Sequence, residues 1–309
     1  RLAAVAEIRV LGSNQFDEIR ERLVDVDILL GSWGMPRLVE DLLAAAPRLR
    51  AVCYAAGTVK GFVTEASYDR GVIITTAMHA NAVPVAEVTV ALITLANKDW
   101  FACQRTIAEG GPEGFPAARQ RPHVGNFGAR VGLIGYGAIA RLVDRRLQDM
   151  DLEVVVYDPY LSDEGRAALA GRVVDDLLEL ARSCDVVSLH APNTPETEGM
   201  LGADFFTAMA DGSTFINTAR GKLVDEAALA KELAAGRIEA HLDVTFPEPP
   251  EAGHPFYALP NCHLTPHRAG SSSGEVRRMG RYAIEECLRI LAGEEPRYPV
   301  HREMLATMA

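Results

Sequence analysis

"VGLIGYGAIA", residues 131–140, is the stretch whose reading decides the fold. The apolar run "ARVGLIG" (129–135) has the pattern of a strand and the residues after it that of an amphipathic helix, so Gly135, Gly137 and Ala140 fall at a strand-to-helix turn. Each small residue has a mechanical task there. Gly135 permits the tight turn. Gly137 admits a pyrophosphate to the backbone N–H groups where Ala138 and Ile139 open the helix, and Ala140 lets the helix lie close on the sheet. The next strand, "EVVVYD" (153–158), ends on Asp158, 21 residues beyond Gly137, where a carboxylate accepts hydrogen bonds from adenosine ribose hydroxyls. An acid there also repels a 2′-phosphate, and no arginine follows in "YDPYLS", so NAD(H) is the expected dinucleotide.

The alternation continues outward from this turn. Strands are expected at "VDILLG" (26–31), "LRAVCY" (49–54), "GVIITT" (71–76), "DVVSLH" (185–190), "STFINT" (213–218), "IEAHLD" (238–243) and "CHLTP" (262–266). Helical patterns lie between them, the signature of an α/β chain with parallel sheets covered by helices. With 309 residues the chain exceeds the size at which single cores stop growing, about 250 to 300, so two domains are expected. "PRLVEDLLAAAP" (36–47) reads as a helix with Pro36 in its first turn, and "DEAALAKELAAG" (225–236) as one opening on Asp225 and closing at Gly236. "GEVRRMGRYAIEECLRILAG" (274–293) lines up Met279, Ala283, Cys287, Ile290 and Leu291 on one stripe. An apolar helix is expected over 84–98, followed by a Gly- and Pro-rich linker at 108–128.

Composition excludes several function classes. Lys and Arg total 31 against 42 Asp and Glu, a net charge of −11, and the basic residues are scattered apart from Arg145-Arg146 and Arg277-Arg278. No nucleic acid partner is expected, because no phosphate-binding footprint exists. Apolar runs such as "EVTVALITLA" (87–96) are shorter than the roughly 20 residues that span a bilayer, so no membrane partner is expected either. The five cysteines are odd in number and widely spaced, as in reduced thiols of a cytoplasmic protein. Only Cys262, His263 and His267 approach ligand spacing, and no metal is expected.

A nicotinamide works against a carbonyl or an alcohol, which needs a cation to hold it and a group that moves one proton. Open α/β sheets place such groups at the carboxyl ends of strands. Three candidates stand there: Arg220 closing "FINTARG" (214–221 with its leading Thr214), Glu248 in "LDVTFPEPP" (242–250) and His267 in "LTPHRAG" (264–270). A guanidinium stays charged and forks onto carboxylates. An imidazole exchanges a proton near neutrality, and a neighbouring carboxylate orients it and favours its charged form.

These segments bring a family into view. "GLIGYGAIA", "LHAPNTPET", "INTARGKLVDEAALAKEL", "LDVTFPEP" and "LTPHRAG" resemble, in order and spacing, the D-2-hydroxyacid dehydrogenases over about residues 25–300. The resemblance implies two Rossmann-like or flavodoxin-like α/β domains: an NAD-binding domain at 81–270 inserted into a substrate-binding domain made of 1–80 and 271–309. It implies hydride exchange between NAD(H) and a small D-2-hydroxy acid or 2-keto acid. Arg220 would hold the substrate's carboxylate and carbonyl oxygen, His267 would carry the proton, and Glu248 would hydrogen-bond the histidine. By the same resemblance His190 and Pro192 lie beside the adenosine, Thr218 and Ala219 on the nicotinamide face, Asp243 beside its carboxamide, and Asn81 near the active site.

The substrate loop departs from the family's "GVGTDNID"-like turn and reads "AAGTVKGFV" (55–63). The N–H groups of Ala56 and Gly57 can still bind a carboxylate, and Lys60 is placed to meet a second negative charge on the substrate. An NAD(H)-sensing, corepressor-like binding protein on the same scaffold is the alternative reading. Formate dehydrogenase, also on this scaffold, is disfavoured because it has glutamine where this chain has Glu248. A homodimer is expected. The 42 residues after His267 suggest one helix and a tail, with no appended regulatory domain.

Overall fold

The computed structural model describes residues 1–12, 15–121, 125–306 and 308. The chain divides into two compact units, Arg1–Asn81 with Ser271–Met308, and residues 82–270.

In the first unit, β1 (Ile28–Gly31), β2 (Ala51–Tyr54) and β3 (Ile73–Thr76) form a parallel sheet in that order. The helix Val276–Leu291 lays Ala283, Cys287 and Ile290 against Ala51 and Cys53, while its Met279 meets Ala77 and Ala80. That is the stripe expected from its 3.6-residue period, with Leu291 partly buried at its end. Leu38, Leu42, Leu43, Tyr54, Phe62 and Ile74 belong to a second apolar cluster. Past the helix, the chain adds itself beside β3 through Thr76 N–H to Tyr298 O and Val300 N–H to Ile74 O.

One helix start is corrected. The helix expected from Pro36 begins at Glu40 and ends at Ala45. Ahead of it Leu38 donates its N–H to Phe62 O at 2.7 Å and Val39 is extended, so that backbone is engaged with a neighbouring loop.

In the second unit, β4 (Arg130–Ile134), β5 (Glu153–Tyr157), β6 (Val186–Leu189), β7 (Thr214–Asn217), β8 (Glu239–Leu242) and β9 (Cys262–Leu264) are parallel, in the order β5-β4-β6-β7-β8-β9. Strand order reverses at β4, so a crevice opens between the carboxyl ends of β4 and β6, where such sheets take ligands. Val173 bridges in parallel to Val156 on the outer side of β5, a pairing too short to show in the sequence pattern. One core cluster gathers Val131, Leu133, Ala140, Val143 and Leu147 with Ala86 and Ile93. The other gathers Ile134, Leu180 and Leu189 around edge-to-face Phe205, Phe206 and Phe215.

Two further expectations change. The helix expected over 84–98 runs over Met78–Ala96 with Pro84 inside it, and the boundary between the units falls within it. At 19 residues it is long and apolar enough to cross a bilayer by length and composition alone, more than the run at 87–96 suggested; in the second unit it buries Ala86, Thr89 and Ile93. The expected linker is largely helical and lies inside the second unit: Trp100–Gly110 ends in it and Gly114–Arg119 follows, residues 122–124 being outside the described residues. Gly114 explains the composition. A Cβ there would stand 2.5 Å from Thr106 O, so the glycine serves a close approach of two helices rather than a flexible joint.

Candidate active site

The glycine loop is built as its sequence requires. Gly135 has φ +84, and a Cβ on it would lie 2.7 Å from the backbone of Ala191, just beyond β6. Gly137 caps the helix Ala138–Leu147 with no side-chain hydrogen bond, and a Cβ there would meet nothing within 4 Å. The helix N-terminus therefore opens onto free space, flanked by half-buried Ala138 and Ile139, while Ala140 is fully buried against the sheet. Asp158 follows β5 and accepts the N–H groups of Tyr136 at 2.8 Å and Tyr160 at 2.9 Å, so it secures the loop while each oxygen keeps a lone pair. At the end of β6, buried His190 sits 3.0 Å from Ser188 Oγ through Nε2, and its Nδ1 has no partner among the described residues. Burial pushes its pKa down to about 4. Pro192 O accepts the Thr197 hydroxyl, shaping the turn that follows. An uncapped helix N-terminus, an orphaned buried ring nitrogen and an acid with lone pairs to spare, gathered at the carboxyl ends of β4, β5 and β6, fit a dinucleotide.

The three chemistry-bearing residues follow β7, β8 and β9. At the end of β7, Asn217 accepts from Ala219 N–H and donates to Arg220 O, both at 3.0 Å, which folds the backbone around Arg220. Thr218 and Ala219 are buried, Thr218 with its hydroxyl 3.3 Å from that of Thr89. Arg220 donates to Ala219 O at 2.6 Å; burial lowers its pKa, and the carboxylate of Glu248 opposes that effect. Gly221 has no room for a Cβ, which would overlap the backbone of Thr245. Half-buried Glu226 accepts the N–H of Phe246, in the loop after β8, at 2.7 Å.

Glu248 Oε1 lies 3.0 Å from His267 Nδ1. Thus the structure brings Glu248 and His267 into contact, with Arg220 within electrostatic reach of Glu248. His267 has φ +50, a conformation that costs a non-glycine residue about 1 kcal/mol or more. Asp243 holds it there. Its carboxylate accepts the Thr265 hydroxyl and the N–H groups of Arg268 and Ala269, so the acid expected beside a carboxamide is the anchor of the histidine loop. Asn217, Gly221, Glu226 and this anchoring task of Asp243 escaped the sequence reading. The local signal was no more than a polar or small residue near a strand end or, for Glu226, at a helix start.

In the first unit, the carbonyls of Ala56 and Gly57 accept the Thr76 hydroxyl, and Ala56 O also accepts Ala77 N–H. Among the described residues, no protein group accepts from the N–H of either. Asn81 Oδ1 accepts Ser271 N–H at 2.8 Å, joining the point where the chain leaves this unit to the point where it returns. Lys60 is exposed.

The expectation about metal ligands also changes. His263 is grouped not with Cys262 and His267 but with Glu239 and His241, a set that is split between β8 and β9 and therefore invisible as a short motif.

Comparison with known proteins gives the family. Residues 90–269 match the family model described as D-isomer specific 2-hydroxyacid dehydrogenase, NAD binding domain. The chain is 32% identical over 291 residues to D-3-phosphoglycerate dehydrogenase of Mycobacterium tuberculosis, covering 93% of this chain and 53% of that protein. It spans about half the length of the D-3-phosphoglycerate dehydrogenases it matches. It is 31% identical over 289 residues to glyoxylate reductase of Korarchaeum cryptofilum, covering 93% of this chain and 86% of that one. The crystal structure of the apo form of Rhodotorula graminis D-mandelate dehydrogenase superposes with a TM-score of 0.81 at 25% identity, over 93% of this chain and 87% of that one. With the NAD(H) site above and this match over more than half its length, the chain belongs to the D-isomer specific 2-hydroxyacid dehydrogenase family.

Proposed function

We propose that the chain interconverts a small D-2-hydroxy acid and its 2-keto acid with NAD(H), using His267 as acid and base, Glu248 to orient it and Arg220 to bind the substrate. The observation that carries this reading is the 3.0 Å contact of His267 Nδ1 with Glu248, with Glu248 acting electrostatically on Arg220. Bound NAD(H) supplies or takes up the hydride. With Nδ1 turned to Glu248, Nε2 of His267 is left to give its proton to a carbonyl oxygen in reduction, or to take it from a hydroxyl in oxidation. The Arg220 guanidinium pairs with the carboxylate and draws electron density from the adjacent carbonyl. Burial around Arg220 strengthens that pull, since charges act over a lower local dielectric. The N–H groups of Ala56 and Gly57 are suited to an anionic oxygen, and the names of the glyoxylate reductase and D-mandelate dehydrogenase relatives support a 2-keto or 2-hydroxy acid as substrate.

The test is steady-state oxidation of NADH against a panel of 2-keto acids with neutral, apolar, carboxylate and phosphate tails. Turnover that collapses in His267→Gln supports the proposal. NADH binding without turnover of any panel member favours an NAD(H)-sensing binding protein instead. Lys60 is assigned to a second anionic group on the substrate: Lys60→Met should raise KM for the doubly charged acids and leave KM for apolar ones unchanged, and equal effects on both classes would remove Lys60 from the substrate site.

A further inference from the structure

Glu239, His241 and His263 form a polar cluster that the proposed reaction does not use. His241 stands opposite His263 in the register of β8 and β9, and Glu239 precedes His241 by two residues on the same face, because strand side chains alternate. Their ligand atoms all lie within 4.8 Å of one another. Both Nε2 atoms are buried and lack a hydrogen-bond partner among the described residues, and His241 is only 4% exposed. Both are turned toward one atom: Glu239 Oε1 is 3.6 Å from His241 Nε2 and 3.2 Å from His263 Nε2. The other oxygen, Oε2, is taken by Arg105 at 3.3 Å. Phe101, one turn before Arg105, packs on both imidazoles with ring centroids 4.8 and 5.0 Å away.

A proton shared between Glu239 and one histidine satisfies one Nε2 and leaves the other orphaned. A cation satisfies both nitrogens and the carboxylate at once. We propose that Glu239 Oε1, His241 Nε2 and His263 Nε2 bind a zinc-class divalent cation. Two imidazoles and one carboxylate suit Zn²⁺ or Co²⁺ rather than Ca²⁺ or Mg²⁺, which prefer oxygen-rich sites. The rings are stacked at 13° with centroids 4.5 Å apart. Bringing both nitrogens to about 2.0–2.1 Å from one ion takes a rotation about χ2, a broad torsion for histidine. A bound ion ties β8 to β9, the strands that lead into Asp243 and His267.

The test uses the full chain without an affinity tag, stripped with a chelator and titrated with Co²⁺ and then Zn²⁺. One equivalent of Co²⁺ should give the visible d–d bands of a four- or five-coordinate site, and Zn²⁺ should abolish them. Zn²⁺ at about a hundred times its Kd should raise Tm by about 5 °C. His263→Gln and Glu239→Gln, checked for folding by their retained NADH affinity, should each lose the bands and the Tm rise. X-ray absorption of the Zn²⁺-loaded wild type should show two imidazoles and reads the site without any variant. No stoichiometric binding, bands unchanged in both variants, or an ion shell without imidazole overturns the proposal.

Discussion

Asp243 grips the backbone of His267 from two directions. Its own carbonyl accepts the His267 N–H at 2.9 Å, and its carboxylate accepts the N–H groups of Arg268 and Ala269 at 2.7 and 2.8 Å. The left-handed conformation of His267 is thereby held by the acid at the end of the neighbouring strand.

Asp243→Asn should therefore loosen the histidine without emptying the dinucleotide site. The amide replaces two charge-assisted acceptors with one neutral acceptor and a misplaced donor, a loss of about 2 kcal/mol in unfolding free energy. Urea unfolding reads that loss, and kcat should fall about tenfold or more while the Kd of NADH changes little. A large rise in that Kd with unchanged kcat would place Asp243 at the carboxamide instead.

Loss of the imidazole should be felt mainly in kcat. His267→Gln should lower it by roughly 10² to 10⁴, the usual contribution of a positioned acid or base. Glu248→Gln keeps the size of the side chain and removes its charge, so its effect should be smaller. Arg220→Lys retains a charge but not the planar fork, and KM for the acid should rise together with a fall in kcat. Steady-state kinetics on the three variants check this order.

Two glycines should separate stability from cofactor binding. Gly221→Ala drives a Cβ into the backbone of Thr245 and should cost roughly 1–3 kcal/mol, with a higher KM because Arg220 is displaced. Gly137→Ala meets no protein atom within 4 Å, so Tm should hold within about 1 °C while NADH affinity drops about tenfold or more as the methyl group enters the space for the pyrophosphate. Thermal unfolding and fluorescence titration with NADH check both.

His190 makes stability depend on pH in a defined window. Its folded pKa is lowered by burial from 6.5 to about 4, so below pH 6.5 the unfolded chain takes up a proton that the folded chain refuses. Stability then rises with pH between about 4 and 6.5, and the full contribution of about 3 kcal/mol is lost on descending through that window. Urea unfolding at pH 7 and pH 4.5 should show a smaller difference for His190→Asn than for the wild type.

The sequence alone determined the nine strands seen among the described residues and the glycine loop, and it set Arg220, Glu248 and His267 after β7, β8 and β9. All of these rest on local physics. Strands buried on both faces must be continuously apolar, a helix N-terminus that meets a phosphate must be small, and catalytic side chains leave a parallel sheet at its carboxyl end. The tertiary structure decided what depends on register and approach between distant segments. Gly114 and Gly221 are glycines because another backbone lies where a Cβ would go. Asp243 anchors a loop 22 to 26 residues further on, and His241 meets His263 only because β8 and β9 pair in the register they do. No local pattern carries these facts, since the contact energy is shared between segments whose separation in sequence says nothing of their distance in space.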